Sequence, residues 1–181
     1  MPPSTYGPTM PNAELFATSL DTPIGTAQLV YDDAGRVHAF GWYDGDNWLK
    51  RFGAVERAPP EDPFGLTAAL RRYFEGAVQA IDDIPVHFGG SPFQNEVWRA
   101  LRTIPAGETL SYGAQAARIG KPSAARAVGL ANGANPIGVI VPCHRVIGAD
   151  GKLTGYGGGI DRKKWLLAHE ARHTGLFGSL R

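Results

Sequence analysis

Polar and apolar residues alternate over Glu14–Ser19 and again over Gly25–Tyr31, the two-residue period of half-buried strands. Thr22-Pro23-Ile24-Gly25 between them predicts a hairpin. Asp32-Asp33-Ala34-Gly35 then turns the chain into a third strand, Arg36–Trp42. Asp46–Phe52 reads as a short helix. Pro59, Pro60 and Pro63 break the chain before a clearer helix over Leu66–Glu75. A further strand is expected near Ile81–Phe88, and Gly89-Gly90 is the expected domain boundary.

Beyond that boundary the pattern becomes helical. Ser91-Pro92-Phe93-Gln94 has the form of a capping box with proline at the first helical position. Phe93, Val97 and Leu101 follow at four-residue spacing, and Ile104-Pro105-Ala106-Gly107 ends the helix. Two short helices are predicted next, Tyr112–Ile119 and Ala124–Ala131, each with a serine (Ser111, Ser123) at its N-cap. The turn Gly120-Lys121-Pro122 between them suggests a helix-turn-helix. The apolar run Ile137–Pro142 reads as a buried strand ending on Cys143. Phase and punctuation thus give a flexible tail over 1–12, a support domain over 13–89 and a functional domain over 90–181.

Composition adds a soluble core-forming chain: 181 residues, 43% of them hydrophobic. No apolar stretch approaches the roughly 20 residues that span a bilayer. The first residues lack the basic start and apolar centre of a signal peptide. A membrane partner is therefore not expected, and a reducing compartment, cytoplasmic in a bacterium, is. The net charge of +1 conceals an asymmetry. Residues 1–90 carry 6 Lys/Arg against 12 Asp/Glu, and residues 91–181 carry 12 against 5. Either a polyanion binds the second half or the two halves attract each other.

The helix Ser123–Ala131 sharpens that choice. Its side chains are small apart from Val128, Leu130 and one long cation in the first turn, Arg126. A major-groove reader presents several polar side chains to base edges, and this helix presents almost none. Small residues such as Ala125, Ala127 and Gly129 let a helix approach a sugar-phosphate backbone, and a lone arginine can enter the minor groove or the base stack. A serine N-cap at Ser123 with free N–H groups could hold a phosphate. Double-stranded DNA bound with little sequence preference is one reading; close helix–helix packing is the other.

Cys143 is the only cysteine in the chain. It cannot form an internal disulfide or a multi-thiolate metal site, which leaves an inert core residue, an incidental surface thiol or a nucleophile. His144 follows it directly, as expected for a thiol activated by an imidazole. Glu170 lies three and four residues after Leu167 and Leu166, on their helical face, and an inward carboxylate needs a partner such as an imidazole. Gly155, Gly157, Gly158 and Gly159 form a loop suited to close approach of a base.

The segment from Ser91 to about Glu170 resembles the active-site domain of the O6-alkylguanine-DNA alkyltransferases, the methylated-DNA–protein-cysteine methyltransferases. The matching residues are Phe93-Gln94 with Val97-Trp98, Ile104–Thr109, Ser111-Tyr112 and Arg126–Gly129. They continue through Ala134-Asn135-Pro136, Pro142–Val146, Gly155-Tyr156 and Leu166-Leu167 with Glu170. With this resemblance the fold class becomes α/β. A small antiparallel sheet forms an N-terminal α+β domain, followed by a mainly helical, winged-helix-like domain with a helix-turn-helix.

The resemblance implies that Cys143 accepts an alkyl group irreversibly from O6-alkylguanine flipped out of duplex DNA, with O4-alkylthymine a poorer substrate. His144 would take the thiol proton through a water, Glu170 would orient the imidazole, and Asn135 would brace the turn beneath the helix-turn-helix. Arg126 would replace the extruded nucleotide, and Tyr112 would contact the rotated phosphate and donate toward the guanine. The Cys143 and Val146 carbonyls would read the exocyclic amine, while Pro142, Tyr156 and Gly157 wall the pocket. The chemistry is consistent with these roles. A thiolate is a strong nucleophile for in-line displacement at saturated carbon, and water does not cleave the thioether product, so the protein would act once. No cofactor is implied. Some members hold zinc through N-terminal cysteines and histidines, but His38 and His87 alone make a poor site, so no metal is expected. Position 157 is glycine where many members have serine, which leaves O6 recognition to a backbone N–H. Position 138 is glycine where some have proline, which should loosen one pocket wall. A monomer in solution is expected, with cooperative binding along DNA left open. A lesion-holding module without transfer and a thiol hydrolase are the alternatives from other classes.

Overall fold

The computed structural model describes residues 13–43, 46–53 and 55–175. The expected tail over 1–12 lies outside them. Strands β1 (Leu15–Thr22) and β2 (Gly25–Asp32) form the expected hairpin, paired from Leu15 opposite Asp32 to Thr22 opposite Gly25. β3 (Val37–Gly41) pairs antiparallel to β2, with a register shift at Val30/Tyr31. A short β4 (Glu56–Arg57) adds to β1 in parallel, giving the order β3-β2-β1-β4. The antiparallel expectation therefore holds for three strands and misses the fourth, whose two charged, exposed residues carry no alternation. Asp46–Phe52 is a 3-10 helix. Helix α1 (Leu66–Phe74) lays Leu66, Leu70 and Tyr73 on the core.

The strand expected near Ile81–Phe88 does not form. The chain passes through turns to Ile84 and makes a single parallel bridge, Val86 to Val37, with His87 N–H donating to the Val37 carbonyl at 2.8 Å. Pro85 has no N–H to extend such a ladder.

Helix α2 (Pro92–Leu101) starts as the sequence requires. The Ser91 hydroxyl accepts from Gln94 N–H, and the Gln94 side chain reaches back to Ser91 N–H. After β5 (Leu110–Ser111) comes α3 (Tyr112–Arg118), capped by Ser111, whose hydroxyl accepts from Ala114 N–H at 3.0 Å. Gly120, with φ 72°, makes the turn. Pro122–Ala124 is then a 3-10 turn, and α4 (Ala125–Gly133) begins only after it, with Ala124 as its N-cap. Ser123 is thus not a cap. Pro122 starts its own tight turn and leaves the serine exposed inside it. A buried amide pair fixes α4 on α3: Asn132 Nδ2 donates to Gln115 Oε1 at 2.7 Å, and Gln115 also donates to the Val97 carbonyl of α2 at 3.2 Å. Trp98 Nε1 donates to the Ala131 carbonyl at 2.8 Å.

The apolar run Ile137–Pro142 is buried but is not a strand. Ile137 makes one parallel bridge to Phe40, and the chain then turns through Val139, at φ 65°. Phe40 N–H donates to the Pro136 carbonyl at 3.0 Å, and Gly138 N–H donates to the Phe40 carbonyl at 2.7 Å. The turn is satisfied by β3 rather than by a sheet of its own. Cys143–Arg145 is a 3-10 turn, β6 (Val146–Ile147) pairs in parallel with β5, and α5 (Ile160–His173) closes the chain. One hydrophobic core runs across the expected boundary, joining Leu20 and Phe40 to Val97, Ile137 and Leu166.

The two serines should separate in a stability measurement. Urea unfolding of Ser111→Ala should show a loss of about 1 kcal/mol, the usual worth of an N-cap. Ser123→Ala should stay within about 0.5 kcal/mol of the parent.

Candidate active site

Cys143 opens its 3-10 turn directly after buried Pro142, and that turn swings His144 and Arg145 inward. Its partners are set by α5, whose inner face carries Lys163, Leu166 and Glu170, all fully buried. Glu170 is the centre of the cluster. His144 Nε2 lies 2.8 Å from Oε1, and the Tyr73 hydroxyl donates to the same oxygen at 2.8 Å. Arg145 binds both oxygens, Nε to Oε2 at 2.9 Å and Nη2 to Oε1 at 2.8 Å, and Gly107 N–H reaches Oε2 at 3.2 Å.

Burial alone would push the Glu170 carboxyl up; the His144 and Arg145 contacts outweigh it and hold the group well below the usual carboxylate range. Burial pushes His144 down, against the pull of Glu170, so the imidazole is held neutral. With Nε2 donating to the carboxylate, Nδ1 carries the lone pair. Among the described residues, that Nδ1 is the one buried side-chain nitrogen or oxygen without a hydrogen-bond partner. Burial also pushes the Cys143 thiol up, while a hydrogen bond from Asn135 and the charge of Lys163 act in the opposite direction.

Cys143 lies in a cavity of about 100 Å³. Its other lining residues are Tyr112, Gly129, Asn132 and Gly133 on the helix-turn-helix side and Gly155, Tyr156 and Gly157 on the loop. The Tyr112 hydroxyl donates to the Thr154 carbonyl at 3.0 Å, joining the two walls. Asn135 sits beneath: its Nδ2 donates to the Val141 carbonyl at 2.8 Å and its Oδ1 accepts from Ile137 N–H at 3.0 Å. That ties the turn after α4 to the segment before Cys143.

Pro142, Val146 and Gly138 do not line the cavity. The expectation of a wall loosened by Gly138 meets a different arrangement. A Cβ there would stand 3.1 Å from the Phe40 carbonyl, and proline would forfeit the hydrogen bond to it. At Gly157 a Cβ would meet nothing within 4 Å. On α4, Arg126 and Ala127 are exposed, Ala125 and Gly129 are half-buried, and Leu130 is 72% exposed. His38 and His87 stack at 4.4 Å, with His38 bonded to Asp32; among the described residues no group of three His, Cys, Asp or Glu side chains could hold a metal. No helix among the described residues is long and apolar enough to cross a membrane.

Residues 92–172 match the family model described as the DNA-binding domain of 6-O-methylguanine DNA methyltransferase. A methylated-DNA–protein-cysteine methyltransferase of Shigella flexneri is 45% identical over 163 residues, covering 86% of this chain and 95% of the relative. The chain belongs to the methylated-DNA–protein-cysteine methyltransferase family. Another member, from Mycolicibacterium paratuberculosis, is 63% identical over 156 residues, covering 86% of this chain and 92% of its own length. Among solved structures, that of Mycobacterium tuberculosis OGT in complex with DNA superposes with a TM-score of 0.75 at 42% identity, covering 87% of this chain and 94% of that one.

Sequence reasoning missed several members of the site, Gly107 and Gly133 among them. Arg145 stood in the quoted motif without a role, Tyr73 lies in the other half, Asn132 lines the cavity, and Lys163 is a lysine in a buried position. Only the glycine-rich surroundings hinted at the cavity; nothing marked Tyr73.

Glu170 also governs the acid limit of stability. A depressed folded-state value means its contribution is complete above the ordinary value of 4.5 and is lost as pH falls below it. His144, held neutral below its ordinary 6.5, adds a loss in the same direction. Denaturation at neutral pH should show Glu170→Gln to be about 3–5 kcal/mol less stable, since Arg145 is left buried and unpaired. The variant's further loss on acidification should be smaller than the parent's.

Proposed function

We propose that this protein repairs O6-alkylguanine in duplex DNA by moving the alkyl group to Cys143, once per molecule. The observation that carries this is a lone cysteine in an open-mouthed cavity, next in sequence to a neutral histidine held by a buried carboxylate, in a chain of this family. The thiol proton passes through a water to His144 Nδ1. The sulfur attacks the alkyl carbon in line, the bond from carbon to O6 breaks, and the purine anion takes a proton donated by Tyr112. Tyr112 gives up its bond to Thr154 to do so. The product is a thioether, which neither water nor a thiol cleaves, so the transfer is irreversible.

On this reading 13–89 is a support domain and 90–181 holds the DNA surface and nucleophile. The exposed small-residue face of α4 enters the minor groove with little sequence preference, with Ala127 packing on the backbone and Arg126 filling the space of the flipped nucleotide. The half-buried Ala125 and Gly129 allow the close approach, Gly129 at the pocket edge. Ser123, exposed beside them, contacts phosphate without capping a helix. Asn135 keeps α4 in register with Cys143. Tyr156 and Gly157 wall the base, and the Cys143 carbonyl accepts from its exocyclic amine; the expected second acceptor, the Val146 carbonyl, is instead taken by Lys163 Nζ at 2.6 Å. O4-alkylthymine is a slower substrate. The protein acts as a cytoplasmic monomer without a cofactor.

Intact-protein mass after mixing with a duplex carrying one O6-methylguanine tests this reading. The expected result is one added methyl, stopping at one equivalent and absent from Cys143→Ser. Lesion binding without mass gain would mean a lesion-holding module, and steady ester turnover would mean a thiol hydrolase. Two variants probe the finer assignment. Arg126→Ala should slow transfer from duplex far more than from a single-stranded lesion. Gly157→Ser, which fits the open space, should raise the single-turnover rate about fivefold if its hydroxyl reaches O6, the worth of one hydrogen bond.

A further inference from the structure

Arg162, in the first turn of α5, forms no ion pair with a carboxylate among the described residues. Its guanidinium instead holds two backbone carbonyls from opposite halves of the chain. Nε donates to Ile24 in the turn of the first hairpin at 2.9 Å, and Nη1 donates to Gly158 in the cavity loop at 2.9 Å. The same group lies over the Trp42 ring, 5.2 Å from its centroid. The indole is fixed in turn, since its Nε1 donates to the Gly25 carbonyl at 3.1 Å. Two glycines let the halves close on this pair. A Cβ at Gly25 would stand 3.2 Å from Arg162 Nη2, and one at Gly158 would stand 2.8 Å from Tyr156 Cε1 and 3.3 Å from Trp42 Cε3. The Tyr156 ring, which lines the cavity, therefore rests on the backbone that Arg162 holds. The other end of the loop is secured within its own half: the Thr154 carbonyl accepts from the Tyr112 hydroxyl at 3.0 Å and from Lys163 Nζ at 3.1 Å.

We propose that Arg162 is a positioning residue for the cavity wall: with Trp42 it pins the Gly158 end of the loop to the N-terminal hairpin and so limits the size of the alkyl group that Cys143 accepts. This rests on the reading of Cys143 as the alkyl acceptor. The run Gly157-Gly158-Gly159 has no side chains with which to hold a pose, so its position is decided by what binds its backbone. A guanidinium suits that task, because its planar fork reaches two carbonyls at fixed angles while its face stacks on an indole. A lysine would keep the charge over the ring without the fork. Freed at Gly158, the loop moves outward and takes Tyr156 with it. A methyl group then loses its close wall, whereas a benzyl group gains room.

The test compares two duplexes that differ only in the group on O6 of one guanine, methyl or benzyl, by the rate of mass gain in a single turnover. In both, the bond from carbon to O6 breaks, the carbon joins the Cys143 sulfur and the purine takes a proton. Arg162→Leu should slow methyl transfer about tenfold and benzyl transfer less than about threefold, raising the benzyl-to-methyl ratio. Trp42→Leu should do the same, and the double variant should add little to either change. Arg162→Lys should fall between parent and leucine variant. Equal slowing of both transfers, as from a general loss of stability, overturns the proposal. Amide exchange followed by NMR reads the anchoring without DNA. The Gly159 N–H, which donates to the Tyr156 carbonyl at 2.9 Å, should exchange about tenfold faster in Arg162→Leu, with the amides of α2 unchanged. A parental rate at Gly159 overturns the proposal. Faster exchange in a protein that takes neither group from DNA supports the anchoring and overturns only the repair reading. Should the leucine variants fail to fold, Arg162→Lys decides by the same two readouts.

Discussion

A carboxylate taken wholly out of water must be met by donors on every side, and the molecule is arranged around that demand at Glu170. Its donors come from α1, from the turn after α2, and from the two residues that follow Cys143. None of these segments neighbours another in sequence. Withdrawing any one leaves a buried charge under-solvated, so the cluster fixes the 3-10 turn of the cysteine, the hand of the imidazole and the seating of α5 together. The geometry around Cys143 and the stability of the core rest on the same set of hydrogen bonds.

A second economy lies in α4. Val128, Ala131 and Asn132 face inward, where the Gln115 amide and the Trp98 indole hold the helix in one pose. Gly129, Asn132 and Gly133 also form a wall of the cavity, while Arg126, Ala127 and Leu130 face out. A helix is about 10 Å across with its side chains. The surface proposed for DNA and the cavity that holds Cys143 are therefore separated by a single rod.

Legibility in the sequence followed the range of the interactions involved. The hairpin, the capping box at Ser91 and the cap at Ser111 were readable because each is decided within a few residues. The strand expected at Ile81–Phe88 and the one at Ile137–Pro142 were not, because apolar runs do not say whether backbone groups pair in ladders or one at a time. Both segments are satisfied by single bridges to β3. Ser123 looked like a cap because Pro122 also starts 3-10 turns. At the site, Cys143, His144 and Glu170 were accessible through adjacency and helical phase, whereas Tyr73 and Lys163 depend on long-range packing. A lysine three residues before Leu166 reads as surface until the fold shows which carbonyls surround it.

The Phe40 bridge has a further consequence. Besides the shared core, backbone bonds from Phe40 to Pro136 and Gly138, a bond from the Tyr43 hydroxyl to the Pro136 carbonyl at 2.8 Å, and one from Arg162 Nε to the Ile24 carbonyl at 2.9 Å span the two halves. None of them passes through the Gly89-Gly90 peptide. The covalent link there sets the local concentration of the halves rather than their fit. The molecule is in effect a complex of two partners that happen to share a chain. Its N-terminal half behaves as a resident subunit, bracing from behind the segment that leads into Cys143 while contributing no residue to the lining of the cavity.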